Sequence, residues 1–328
     1  MKKSTGTPDK KKRAIIILAV TSALLLAANI FLIINTVEIS REFESKYDFL
    51  ADRMVNNYYS PENLNNAIKD TLGDKYEEKD SVHQSNYDNF DNYLFTLVTN
   101  DINKYETKRK KQYNRYLNSE KAEKVTNMLE SYEKAEVSVS EDNICTVKFS
   151  KFVTDETYSD LASHKDEFSR CRNFIFDLRE NNGGDIEELL DVLSMFYEKD
   201  TLVFTSRGNS ETEEYRTDKD KIIDFDRIVF LCGGKTASSS EMLIYIMQSD
   251  FKDKVFTVGQ HTYGKNFSFT YSKFTDGEAF MLIDGIMGNS AGDTFGDDGI
   301  EPDYPAENEE CEAVAEKIIK GEISAASE

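Results

Sequence analysis

The chain has 328 residues, enough for one or two domains with a substantial core. A hydrophobic content of 39% excludes a disordered protein, and a net charge of −21 argues against nucleic acid or anionic lipid headgroups as partners of its surface. The charge is uneven: residues 1–13 hold six basic residues against Asp9, residues 14–35 hold no charge, and −26 falls on residues 36–328.

The uncharged run from Ala14 to Asn35 is about 33 Å long as a helix, which matches a bilayer core. Basic residues before it and acidic sequence after it predict a cytoplasmic tail at 1–13, a transmembrane anchor at 14–35 and an extracytoplasmic remainder in a single-pass cell-membrane protein. A cleaved signal peptide fits less well, because its apolar region runs to about 7–15 residues and ends in a small-x-small site. Cys145, Cys171 and Cys232 lie in or beside apolar strand-like runs and Cys311 in a late helix. All four are expected as buried free thiols rather than disulfides, and none has zinc-site spacing.

Residues 36–135 read as a polar, mainly helical N-terminal region. Phe49, Leu50, Met54 and Val55 have helical spacing, and the Ser60-Pro61-Glu62 segment restarts a helix through Leu64, Ala67, Ile68 and Leu72. Residues 74–92 lack periodicity and read as a loop. The basic patch Lys108-Arg109-Lys110-Lys111 is either a solvated face or an intramolecular or substrate contact.

From residue 136 to 328 the texture changes to alternating strands and helices. Ile144–Phe149 alternates as a half-buried strand, whereas Asn173–Phe176, Ile228–Leu231 and Val255–Val258 read as short buried strands. Asp185 suits an N-cap for a helix presenting Ile186, Leu189, Leu190, Leu193, Phe196 and Tyr197, and Met242–Met247 is apolar nearly all round. The expected class is α/β with a mainly parallel sheet.

Three segments carry candidate chemistry. Lys235-Thr236-Ala237-Ser238-Ser239-Ser240-Glu241 puts hydroxyls at the mouth of the buried helix, and Lys265 in Thr262-Tyr263-Gly264-Lys265 could return to it. That is the equipment of a serine nucleophile activated by an amine. Taken alone, Ser238-x-x-Glu241 is equally a capping box. Asp177-Leu178-Arg179-Glu180-Asn181-Asn182-Gly183-Gly184 follows a buried strand, so the glycine amides could approach an oxyanion, with Asp177 and Arg179 as a structural ion pair. A lysine base must be neutral, which burial favours, with Tyr263, Phe267 and Phe269 as apolar cover.

Together with Gly299-Ile300-Glu301-Pro302-Asp303, these segments resemble the core of the S41 serine peptidases, the C-terminal-processing or tail-specific proteases, over roughly residues 140–305. The resemblance implies a β/α superhelix of the ClpP/crotonase type and a Ser238/Lys265 dyad, with Ser240 as the fallback nucleophile. It also implies an oxyanion hole from Gly183 or Gly184 with Ser239, a protein or peptide substrate, and no metal or organic cofactor. A catalytically silent peptide-binding or scaffold protein is the alternative. Two positions depart from the family: Phe269 stands where a glutamine often orients the lysine, and His261 where an acidic residue is common, leaving a Ser–His arrangement open. Residues 85–135 lack the glycine-rich carboxylate-binding turn of the PDZ domain that the family often carries.

Overall fold

The computed structural model describes Leu50, Arg53, Met54 and residues 56–72 and 101–323, and groups Arg53–Glu328 as one compact unit. The basic tail, the 14–35 span and the loop read at 74–92 lie outside the described residues. Among the described residues no helix is long and apolar enough to cross a membrane.

The expected apolar runs form one six-stranded sheet. Its strands are β2 (Glu136–Val139), β3 (Ile144–Lys148), β4 (Asn173–Asp177), β7 (Arg227–Cys232), β8 (Val255–Gly259) and β11 (Tyr304–Pro305), in the order β11-β8-β7-β4-β3-β2. All neighbours are parallel except the β2–β3 pair. The central strands are apolar throughout because both faces are covered. Phe174, Phe176, Ile228 and Phe230 point into the larger core, whereas Ile175, Val229 and Leu231 pack with Ala315 and Ile318 of α7 (Cys311–Lys320). Each such side chain gains about 2 kcal/mol from burial. The larger core also takes α5 (Ile186–Ser194), capped by Asp185 as expected, and α6 (Ser239–Asp250).

The sheet expectation needs a correction, because a second, five-stranded sheet is antiparallel. It contains β1 (Arg115–Leu117), β5 (Leu202–Arg207), β6 (Thr212–Arg216), β9 (Phe267–Lys273) and β10 (Ala279–Asn289). "Mainly parallel" therefore describes only the first sheet. β10 pairs with β1 through residues 279–281, with β9 along most of its length, and with β5 at its far end. β1 lies on the N-terminal side of the boundary expected at 135/136, so the two regions share a sheet. α2 (Ser119–Glu130) fastens this part: Leu117, Ala122, Ala279 and Met281 form a small core, and Tyr271 donates a hydrogen bond to the Ala122 carbonyl.

In the remaining helical region, α1 (Pro61–Leu72) begins at the expected proline and buries Leu64, Ala67 and Ile68. All four cysteines are buried and free.

Candidate active site

The loops that follow β4, β7 and β8 leave the carboxyl ends of adjacent parallel strands, where open α/β sheets form their crevices. Backbone bonds tie the three loops together. Leu178 N–H donates to Leu231 O, Ala237 N–H to Asn181 O, and Tyr263 N–H to Thr236 O. The Gly299–Asp303 segment buttresses the third loop: Ile300 N–H donates to Thr262 Oγ1, and the Asp303 carboxylate accepts from the amide and hydroxyl of Thr257. The motifs separated in sequence thus form one interlocked corner.

Ser238 begins α6 with φ 58° and ψ −122°, a conformation normally left to glycine. Holding such a backbone costs on the order of 1–3 kcal/mol and requires surroundings that over-determine it. Glu241 supplies them. Its buried carboxylate accepts from Ser238 N–H at 2.8 Å, Thr262 Oγ1 at 2.5 Å, Gly264 N–H at 2.6 Å and Lys265 N–H at 2.8 Å. The capping reading of Ser238-x-x-Glu241 is therefore correct, and the same carboxylate also fixes the lysine loop against the serine turn.

Ser238, Ser239, Gly183, Gly184 and Lys265 all line one cavity of about 1240 Å³. A β-carbon on Gly183 would stand 2.7 Å from Ser238 Cβ, and one on Gly184 would stand 1.9 Å from the Phe152 carbonyl oxygen, so both positions exclude side chains. The two glycines differ in their amides. Gly183 N–H donates to Asn181 Oδ1 at 2.9 Å, whereas among the described residues neither Gly184 N–H nor Ser239 N–H has a described partner. Ser240 is fully buried, and its hydroxyl donates to Asn181 Oδ1 at 2.7 Å. It belongs to the scaffold under the serine turn and is absent from the cavity wall.

Lys265 is 7% exposed, and Tyr113, Phe269 and Phe267 ring its ammonium at 4.4, 4.5 and 5.8 Å from their centroids. Burial lowers its pKa to about 7, against the opposing pull of the Glu241 charge. Ring faces also favour the cation, by about 0.5–2 kcal/mol, but desolvation of a buried amine amounts to several pKa units and outweighs them. Among the described residues no hydrogen bond joins Lys265 Nζ to Ser238 Oγ. Phe269 thus takes its place beside the lysine as part of the apolar cover, as Phe267 does, whereas Tyr263 stacks under Arg109 at 5.3 Å.

Other residues find structural roles. Arg179 grips Asp177 through Nε and Nη2 at 2.8 and 2.7 Å, the ion pair expected. His261 is absent from the cavity wall; its Nδ1 lies 3.0 Å from Thr262 O and its Nε2 3.6 Å from Glu301. The basic patch makes intramolecular contacts, with Lys110 paired to Asp297 at 3.3 Å and Arg109 over Tyr263. Lys151, a second buried lysine on the cavity wall, donates to Met128 O and to Ser131 Oγ at the end of α2. Sequence reasoning missed Tyr113 and the multiple role of Glu241. The glutamate could have been suspected from its place in both the cap and the nucleophile segment; Tyr113 carries no local signal.

The family model for peptidase family S41 matches residues 143–306, half of the chain. A probable CtpA-like serine protease of Staphylococcus haemolyticus is 30% identical over 169 residues, covering 49% of this chain and 33% of that protein. A carboxy-terminal-processing protease of Bartonella bacilliformis is 28% identical over 162 residues, covering 47% and 37%. The chain thus spans about a third of the length of these curated relatives. Among solved structures, a lipoprotein from Streptococcus agalactiae aligns with a TM-score of 0.59 at 16% identity, over 85% of this chain and 96% of that one. A Bacteroides fragilis protein described as a putative S41 protease aligns with a TM-score of 0.51 at 15% identity, over 60% and 59%. These two share its mixed α/β fold, and by its sequence the chain belongs to peptidase family S41.

Proposed function

We propose that the protein is a serine endopeptidase in which Lys265 activates Ser238, anchored in the cell membrane by residues 14–35 with its catalytic part outside. The observation that carries this reading is the Glu241 carboxylate, which binds the serine amide and the lysine loop and so holds both reactive residues in the wall of one cavity. Neutral Lys265 takes the proton of Ser238 Oγ as that oxygen attacks a peptide carbonyl. The amides of Ser239 and Gly184 stabilise the oxyanion, since the Gly183 amide is committed to Asn181. Lys265 then gives its proton to the leaving amine, and water attacks the acyl-enzyme to restore Ser238 and release the carboxylate product.

That among the described residues Lys265 Nζ makes no hydrogen bond, and that Phe269 stands beside it, favour a second reading in which the same cleft binds peptides without cleaving them. Turnover of a mixed peptide library separates the two. Wild-type cleavage that Ser238→Ala and Lys265→Ala each reduce by about 10³-fold or more supports the dyad. Equal, background-level turnover by all three, with each variant folded by circular dichroism, rejects catalysis.

A further inference from the structure

Three aromatic rings stand over the Lys265 ammonium, and one comes from far away in the chain. Tyr113 lies 152 positions earlier, just before β1, and its ring meets Phe267 at 5.2 Å and Phe269 at 5.1 Å between centroids. Its neighbour Asn114 locks the segment in place, accepting from Ile283 N–H through Oδ1 while its carbonyl accepts from Asn103 Nδ2. Tyr113 is therefore fixed to the second sheet before any substrate arrives. We infer that Tyr113 is a positioning residue of the proposed reaction: with Phe267 and Phe269 it builds an apolar socket that shuts water away from the Lys265 amine and leaves it open only to the cavity that Ser238 also lines.

The physical logic is desolvation. Ring faces on three sides replace water poorly around a charged amine, so proton loss relieves burial. Burial raises the Tyr113 phenol to about 12, so it stays neutral and contributes a ring face rather than an anion. The charged groups around the site are Glu241 on α6, Arg109 over Tyr263, the Lys110–Asp297 pair and, on the cavity wall, Arg115, Lys151 and Lys235 with the carboxylates Glu130, Glu156, Glu180 and Asp185. The three rings stand 4.4–5.8 Å from the amine and line the same cavity wall.

The inference rests on the Ser238/Lys265 reading, so the test has one readout that needs no turnover. In the full chain carrying Ser238→Ala, acetylation of Lys265 by a small anhydride, followed by mass spectrometry across pH, reports the midpoint at which the amine becomes neutral. Tyr113→Ser should move that midpoint to higher pH by about one unit, and Tyr113→Phe, which keeps the ring, should return it to the wild-type position. With Ser238 present, the acidic limb of kcat/KM should follow: Tyr113→Ser should lose about five- to tenfold at pH 7 and recover at alkaline pH. A midpoint unmoved by Tyr113→Ser, or a loss of turnover equal at every pH, overturns the socket and leaves the dyad standing. A shifted midpoint in a protein that never cleaves peptides keeps the socket and overturns the proposed catalysis.

Discussion

The serine turn and the lysine socket face one cavity and are built on opposite principles. Ser238 is held by saturation: Glu241 takes its amide, Asn181 braces Ala237 and Ser240 beneath it, and a backbone geometry foreign to serine persists because each neighbour is bonded. Lys265 is held by deprivation. Its backbone amide is bonded to Glu241, but among the described residues its amine makes no hydrogen bond and faces aromatic rings. In the proposed reaction the nucleophile has to be placed, which directional bonds accomplish, and the base has to be neutral, which desolvation accomplishes. Lys151 shows the contrast within the same wall, since its ammonium finds a carbonyl and a hydroxyl and works as a tie to α2.

The sharpest way to break this contrast is Glu241→Ala, which removes a carboxylate that both halves share. Four donors lose their acceptor inside the protein, and stability should fall on the order of 3–5 kcal/mol, with turnover lost in whatever fraction stays folded. Urea unfolding together with a peptide assay checks both. A loss below about 1 kcal/mol would mean that the turn and the loop hold their geometry without the carboxylate.

Lys265→Met tests deprivation alone, and its sign follows from linkage. The folded-state value of about 7 lies below the 10.5 of an ordinary lysine, so burying the charged form penalises the fold most at and below pH 7. Met carries no such penalty. The variant should be more stable than wild type by on the order of 4 kcal/mol at pH 6, and the gain should shrink as pH rises from 7 toward 10.5. A pH-independent difference would show that the amine is not desolvated in the folded state.

Ser240→Ala probes the saturated side more gently. It removes one hydroxyl from Asn181, which keeps Gly183 N–H as a donor, so a loss of about 1 kcal/mol is expected with turnover preserved. Abolished turnover in a folded Ser240→Ala would transfer the nucleophile role. The smallest effect belongs to His261→Ala, because that ring is partly exposed and turned toward Glu301. Activity and its pH profile should stay within about twofold, whereas a histidine base would be lost outright.

The legible part of the molecule was the part whose surroundings are uniform. β4, β7 and β8 are covered on both faces, so their sequences are short, mainly apolar runs that identify themselves, interrupted in β8 only by Thr257. β9 reads Phe-Ser-Phe-Thr-Tyr-Ser-Lys, and its two phenylalanines were legible as cover for the lysine but not as members of a strand. β1 is three residues long in a polar stretch, too short for alternation to register, and its register is set by β10 far downstream. The same holds at the site. Ser238, Gly183, Gly184 and Lys265 belong to compact local patterns, whereas Tyr113 reaches the site only through the pairing of β1 with β10, a relation that no local window contains.

That pairing has a consequence for how such a protein is divided and compared. The stretch matched by the family model, residues 143–306, carries the serine, the lysine and both glycines, yet leaves out Tyr113 and β1. The shared core brings the proposed reactive residues and two of the three rings around Lys265; the flank brings the third. If the proposed socket holds, two chains could keep Ser238, Lys265 and both glycines and still differ in working pH, because one wall of the socket lies in a segment outside the matched stretch.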